Sequence, residues 1–127
     1  MILSAQAEGF LAENHVCTLT TLRPDGTPHV TPVRFTWDGD DRLVRIMTVR
    51  TRRKARNVLA NPIDRVSVCQ VAGARWITLE GMPTVSDDPR RVAEGARRYA
   101  KRYRSPPPGF SGLVVIEIAI DRTMGLY

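Results

Sequence analysis

The stretch VCTLTTL-RPDG-TPHVTPVRFTW, residues 16–37, indicates a β-hairpin and therefore an antiparallel β-protein. Its first part, residues 16–22, is apolar and rich in β-branched side chains, as strands are. Arg23-Pro24-Asp25-Gly26 is a typical turn, because proline presets one backbone angle and glycine accepts a positive one. We expect one long strand over residues 27–37, and its two prolines place it at an edge or near a bulge.

Outward from this hairpin, similar runs predict four more strands, over residues 42–49, 65–71, 75–86 and 113–120. Three helices are predicted at their junctions: residues 4–14 with Ser4 as N-cap, residues 52–60 with Thr51 as N-cap, and a third that Asp87-Asp88-Pro89 begins and that ends near Tyr103. Six strands in hairpin order with three helices favour a small antiparallel barrel. At 127 residues, we expect residues 1–127 to form a single domain.

The charge balance invites a nucleic-acid interpretation, since the net charge is +6 and 17 of the 19 cations are arginine. Surfaces for single strands interleave aromatic side chains among the cations, but aromatic residues make up only 6% here. No nucleic-acid-binding signature occurs either. No apolar run approaches the ~20 residues of a membrane helix, and the first residues lack a signal-peptide pattern. We therefore expect a cytoplasmic protein that binds neither nucleic acid nor membrane.

The two cysteines, Cys17 and Cys69, both fall in strand-like apolar runs. Neither has a second cysteine or a histidine at metal-ligand spacing, so we expect no metal site. A pair of buried, reduced thiols is the favoured interpretation, with a disulfide as the alternative.

The basic run Arg50-Thr51-Arg52-Arg53-Lys54-Ala55-Arg56 places five cations in seven residues where a strand gives way to a helix. Cations in the first turn repel one another and oppose the helix dipole, which suggests that an anion compensates them. Backbone N–H groups at a helix start suit a phosphate. We interpret the run as a phosphate-binding corner; the alternative is a solvated basic loop.

Polar side chains on the two preceding strands and on the predicted helix would complete this corner. The candidate phosphate ligands are Arg34, Thr36, Thr48, Arg53, Lys54 and Asn57. Hydroxyl and cationic groups from two paired strands and a helix start would converge on one phosphate. In the alternative interpretation, Arg34 is a solvated cross-strand partner and the threonines are ordinary strand residues.

Candidate residues for a flat ligand come from two further places. Arg75-Trp76 at a strand start offers a cation beside a large planar surface, which suits a conjugated ring or a carboxylate. His29 shares a strand face with Val33 and would lie at the barrel mouth. Core packing of Trp76 and a packed or surface position for His29 are the alternatives. No nucleophile triad, Walker loop or GxGxxG motif is present, and we predict no catalytic side chain.

The order of these motifs is similar to that of a known family. Residues 22–33, then Thr48 with Arg53-Lys54-Ala55-Arg56-Asn57, Asn61-Pro62 and Leu79-Glu80-Gly81, resemble the split β-barrel flavin and deazaflavin oxidoreductases related to pyridoxamine 5′-phosphate oxidase. Gly73-Ala74-Arg75-Trp76 and residues 98–104 (RYAKRYR) are most similar to the B-type enzymes that use coenzyme F420, among them the F420-dependent biliverdin reductases.

The resemblance implies a homodimer with two cofactor sites at the subunit interface and the cofactor phosphate at the basic helix start. It implies F420 as cofactor, with FMN as the alternative, and Trp76 among the cofactor-binding residues. The implied reaction passes a hydride from reduced F420 to a conjugated acceptor resembling biliverdin. Among the residues considered above, we expect Arg75 and His29 to bind this small-molecule substrate. A protein that binds the cofactor or a pigment without turnover is a further alternative.

Overall fold

The structure, a computed structural model, describes residues 2–109 and 111–127, which form seven strands and three helices. The strands are β1 (Val16–Leu22), β2 (Pro28–Val33), β3 (Phe35–Asp38), β4 (Leu43–Val49), β5 (Val66–Ala72), β6 (Arg75–Ser86) and β7 (Leu113–Leu126). The helices are α1 (Ala5–Ala12), α2 (Arg53–Ala60) and α3 (Pro89–Tyr103). The predicted mainly β class is confirmed. No helix within the described ranges is both long and apolar enough to cross a membrane.

All seven strands belong to one antiparallel sheet, in the order β2-β1-β5-β6-β7-β4-β3. The two edge strands, β2 and β3, are separated in the chain by Arg34 alone. The sheet must therefore curl until its edges meet at this residue, which produces a half-barrel.

The predicted continuous strand over residues 27–37 was wrong, and its division raises the strand count from six to seven. Val33 pairs with β1 at Cys17, whereas Phe35 pairs with β4 at Ile46. Strand-like composition continues through Arg34, so the sequence carries no local sign that the chain changes partners there. Phe35 and the residue after it are both buried, which breaks the expected alternation.

The inward faces of the strands form the core together with helix α1. Phe35, Ile46 and Ile116 lie side by side across β3, β4 and β7 and are at most 1% exposed. Phe10 and Leu11 of α1 close one end of this core. The predicted N-cap of α1 is confirmed, because Ser4 Oγ accepts a hydrogen bond from the Ala7 N–H at 3.1 Å.

Helix α3 packs on the outward face of the sheet and is capped as predicted. Asp88 accepts a hydrogen bond from the Arg90 N–H at 2.8 Å, with Pro89 in the first helical position. Gly95 gives the close approach to the sheet, since a Cβ there would lie 2.5 Å from Met47 Sδ.

A network of buried charges lies between α3 and the sheet. Arg45 on β4 contacts Asp38 at 2.8 Å and Glu117 at 3.3 Å, and all three side chains are at most 6% exposed. From α3, Arg98 reaches Asp38 at 3.0 Å and Arg91 reaches Glu117 at 2.5 Å. The network fixes α3 to three strands, because each buried charge has a partner of opposite sign.

The last strand runs six residues beyond the predicted Ile120, to Leu126, and pairs with β6 through a bulge at Glu80/Gly81. A Cβ on Gly81 would lie 1.8 Å from the Ala119 carbonyl oxygen. Only glycine allows this approach of the two backbones.

The outward face that α3 leaves uncovered carries several exposed apolar side chains. The most exposed of them are Val16, Val30, Val71, Met124 and Leu126. Ile2 and Ile63 are also exposed but lie outside the sheet. Cys69 lies on this outward face and is half-buried, so the prediction that both cysteines are buried holds for Cys17 alone. Both thiols are free.

Candidate functional site

Helix α2 begins without a side-chain cap. Arg52, not the predicted Thr51, occupies the N-cap position, and its side chain makes no capping hydrogen bond. The first turn contains no acidic residue, while Arg53 and Lys54 add two positive charges to it. Unpaired N–H groups and the positive end of the helix dipole attract an anion. We call Thr48 and residues 52–54 the basic corner; its geometry suits a phosphate.

Lys54 lies half-buried in the basic corner. Together with Thr48 and Arg52 it lines a cavity of about 220 Å³, which Leu113 of β7 also borders. Burial, and then the positive charge of Arg52, lowers the pKa of Lys54. Among the described residues, no carboxylate forms an ion pair with it. A desolvated cation without a countercharge is the arrangement that an incoming phosphate would compensate.

His29 faces into the barrel near the basic corner. It pairs with Thr21 across β1 and β2, and its Nδ1 is buried without a hydrogen-bond partner in the protein. Burial lowers the pKa of His29, and the charges of Arg23, Arg53 and Lys54 lower it further. The histidine that the sequence assigned to the substrate therefore lies within the electrostatic reach of Arg53 and Lys54, two of the predicted phosphate ligands.

Asn57 lies beneath the basic corner, inside the barrel end. Its Nδ2 donates to Thr21 Oγ1 at 2.9 Å, and each of the two side chains is 1% exposed. Its Oδ1 has no hydrogen-bond partner in the protein. In this structure Asn57 supports the helix that carries Lys54.

Arg34 and Thr36, two other predicted phosphate ligands, lie apart from the basic corner. Arg34 Nη1 donates to the Tyr99 hydroxyl at 3.2 Å, and its guanidinium lies 5.3 Å from the centre of the Tyr103 ring. Thr36 pairs with Arg45, three residues before Thr48 on β4, which is about 10 Å along a strand. The two threonines also face opposite sides of the sheet, so one chain does not bring all six predicted ligands to one point.

Arg75 and Trp76 lie at the opposite end of the barrel. Trp76 pairs with Val71, which pairs with Val16 at the start of β1, whereas α2 contacts β1 at its other end. Arg75 is held by Glu13, with nitrogen–oxygen distances of 3.0 and 3.1 Å, and stacks over the Phe10 ring. The length of β1 separates this pair from the basic corner by about 20 Å.

Sequence reasoning missed two residues of the site. Thr21 supports Asn57 through a hydrogen bond, and the charge of Arg23 lowers the pKa of His29. Thr21 lies within a β-branched run, where nothing distinguishes an inward hydroxyl from an ordinary strand residue. Arg23 belongs to a turn, and only the register of the hairpin brings it to His29. Within residues 2–109 and 111–127, no three His, Cys, Asp or Glu side chains gather as a metal site requires.

A curled antiparallel sheet whose edges meet at one residue, with a basic helix start at one end, defines a split β-barrel protein. The chain belongs to the pyridoxamine 5′-phosphate oxidase family, whose sequence pattern matches residues 3–126. The resemblance inferred from the motifs is confirmed.

Three similar proteins, two of them with a named activity, show which members of the family this chain resembles. The chain is 43% identical over 123 residues to an F420H(2)-dependent biliverdin reductase of Mycobacterium tuberculosis, covering 97% of this chain and 88% of that protein. A solved F420 reductase matches with 28% identity and a TM-score of 0.74, over 92% of this chain and 94% of its own. A conserved hypothetical protein of Mycobacterium tuberculosis shares the fold, with 23% identity and a TM-score of 0.81 over 98% and 84% of the two chains.

Proposed function

We propose that this protein is an F420-dependent oxidoreductase that transfers a hydride from reduced F420 to a conjugated acceptor of the biliverdin type. The observation that carries the proposal is Lys54, a half-buried cation at an uncapped helix start, without a carboxylate partner among the described residues. The relative at 43% identity, an F420H(2)-dependent biliverdin reductase, supports the choice of cofactor and acceptor.

The residues of the basic corner fit the phosphate of such a cofactor. Lys54 and Arg53 would supply charge, the first N–H groups of α2 would donate hydrogen bonds, and Thr48 would offer a hydroxyl. The buried, unpartnered Nδ1 of His29, whose pKa the charges of Arg53 and Lys54 lower, is a further polar group that a bound molecule would satisfy.

A second copy of the chain would complete the site. Trp76 lies about 20 Å from the basic corner, so a single chain does not place it against a ring bound there. The uncovered outward face, with Val16, Val71 and Leu126, ends beside Trp76 and is apolar enough to form an interface. We therefore propose a homodimer in which Trp76 of one subunit contributes to the cofactor site of the other.

The cofactor supplies the reducing chemistry when it is bound, and the protein supplies binding, orientation and exclusion of water. His29 keeps a pKa below its usual 6.5 and stays uncharged at neutral pH, so it would hydrogen-bond the acceptor without adding charge. Arg75, which the second copy would bring to the site together with Trp76, would bind an acceptor carboxylate once it exchanges its contact with Glu13. No side chain is assigned as proton donor, and the proton comes from solvent.

Turnover separates this function from its alternatives. Purified protein mixed with reduced F420 and biliverdin should oxidise the cofactor at a rate proportional to the protein concentration. The return of the visible absorbance of F420 measures this rate. Binding of F420 or biliverdin without turnover would favour a carrier. Turnover only with reduced FMN would favour the flavin-dependent alternative.

A further inference from the structure

A second cationic pocket lies away from the basic corner, along the free edge of β3. Helix α1 borders it through Leu11 and Ala12, and the last turns of α3 border it from the other side. Its volume is about 360 Å³, within the range of small-molecule sites. We call it the edge pocket; its polar lining consists of Glu8, Thr36, Trp37, Arg98, Lys101, Arg102 and Arg104.

Three polar atoms of the edge pocket are buried without a hydrogen-bond partner in the protein. They are Thr36 Oγ1, Trp37 Nε1 and Arg102 Nε. Thr36 is 5% exposed, so its hydroxyl cannot reach bulk water. The Trp37 and Arg102 atoms can only donate hydrogen bonds. A buried donor without an acceptor is costly, and two such donors in the lining of one pocket indicate that an acceptor group belongs there.

The lining of the edge pocket contains more positive than negative side chains. Arg98 is neutralised by Asp38 and Glu94, at 3.0 and 2.7 Å. Arg102 donates to uncharged oxygens only, those of Gln70, Phe35 and Glu13. Lys101 and Arg104 form no ion pair with any described residue, and Glu8 is the single acid of the lining. The pocket therefore holds an excess of positive charge that a ligand would offset.

Backbone geometry adds a further indication. Arg104 ends α3 in the left-handed conformation, with φ of 55°, where glycine is the usual residue. A large cation in this unfavourable conformation lines the pocket instead. Strained residues of this kind gather at binding sites.

We propose that the edge pocket is a second anion site that binds a carboxylate or phosphate group of a small molecule. Trp37 Nε1 and Arg102 Nε donate to the oxyanion, and Lys101 and Arg104 supply the charge. The site is separate from the basic corner, because its lining residue Thr36 pairs with Arg45, about 10 Å along β4 from Thr48. It does not require the proposed cofactor, although a carboxylate-bearing cofactor tail is one source of such a group.

Nuclear magnetic resonance of the Trp37 indole N–H tests the proposal at the donor itself. The chain has two tryptophans, so a Trp76→Phe variant assigns the two indole signals. The full chain is titrated separately with citrate, inorganic phosphate and a γ-linked triglutamate, to roughly 20 mM, a range that covers weak sites. We expect the Trp37 signal to shift saturably with at least one probe. Stronger binding of phosphate indicates a phosphorylated ligand, and stronger binding of triglutamate indicates a carboxylate tail.

Matched variants separate a built site from general attraction of anions. Lys101→Ala should weaken probe binding by roughly tenfold, because it removes one charge-assisted contact of the oxyanion. Arg90→Ala removes an exposed cation at the far end of α3 and should leave binding unchanged. Lys54→Ala should also leave it unchanged, so failure of the proposed cofactor site would not be mistaken for failure of this one. An unshifted Trp37 signal, or equal weakening by Arg90→Ala, would overturn the proposal.

Discussion

Asn57 and Thr21 fasten helix α2 to the inside of strand β1, with the Asn57 Nδ2 donating to Thr21 Oγ1 at 2.9 Å. Both side chains are 1% exposed, so water cannot replace this bond. Lys54 lies three residues earlier on the same helix, about one turn away. The position of the basic corner therefore depends on a hydrogen bond that faces no ligand.

Replacement of Asn57 by alanine should destabilise the fold by about 1–3 kcal/mol, because it leaves the Thr21 hydroxyl buried and unpaired. Urea unfolding measures this loss, and cofactor affinity should fall with it. Asn61→Ala is the control, since Asn61 is half-buried and its bonds are 3.4 Å long. Exchanging both partners, Thr21→Val with Asn57→Leu, should cost less than Asn57→Ala; an equal or larger cost would argue against the bond.

Lys54→Met should separate binding from stability. Burial and Arg52 lower the pKa of Lys54, so the unfolded chain holds this proton more tightly than the folded chain. Stability of the cofactor-free protein should therefore rise with pH as the lysine loses its proton, between the lowered pKa and the usual value near 10.5. At neutral pH the variant should be at least as stable as the wild type but bind F420 less tightly. A less stable variant with unchanged affinity would contradict this account.

Stability should also fall in acid, because α3 is held by carboxylates. Burial alone would raise the pKa of Asp38, but Arg45, the Asp41 N–H and Arg98 together lower it. Arg97 and Arg98 lower the pKa of Glu94 to about 2. Both groups stabilise the fold above their unfolded pKa values, near 4, and this contribution is lost as pH falls through the folded values.

Unfolding midpoints at pH 7, 5 and 3 measure this dependence, since pH 5 and pH 3 lie about one pH unit above and below the unfolded pKa values. Arg98→Met removes one partner from both carboxylates, so its stability should change less between pH 5 and 3 than that of the wild type. An identical acid dependence in the variant would show that Arg98 does not set these two pKa values.

Gly81→Ala should abolish folding or leave little soluble protein. The new Cβ would lie 1.8 Å from the Ala119 carbonyl oxygen at the bulge between β6 and β7, and backbone atoms cannot yield by that much. Gly9→Ala in α1 is the matched control, because no atom lies within 4 Å of its Cβ. The control should be slightly more stable than the wild type, by about 0.5–1 kcal/mol. Normal yield and stability of Gly81→Ala would refute the bulge.

Local signals in the sequence were sufficient for most elements of this fold. Ser4 was recognised as an N-cap, and Asp87-Asp88-Pro89 as the start of α3, because capping side chains act within three residues along the chain. The exchange of partners at Arg34 could not be predicted, since it depends on closure of the whole sheet. The prediction of Thr51 as N-cap was wrong. It followed the general preference for threonine over arginine at N-cap positions, whereas Arg52 occupies the N-cap position and makes no side-chain cap hydrogen bond.

The candidate site was predictable in part for the same reason. The positive charge at the start of α2 is a local feature and was found from the basic run. The burial of Asn57 and the engagement of Arg75 by Glu13 are long-range contacts that a single sequence does not encode. Thr36 was correctly predicted as a strand residue. The side of the sheet that it faces could not be predicted, because it depends on the break between β2 and β3 at Arg34.

Parallel fluorescence titration of wild-type and Lys54→Ala protein with F420 and FMN tests the central claim most directly. The account predicts that the wild type prefers F420 and that the variant binds it at least several-fold more weakly, consistent with loss of one charge-assisted contact. A preference for FMN, or equal F420 affinity in both proteins, would contradict it.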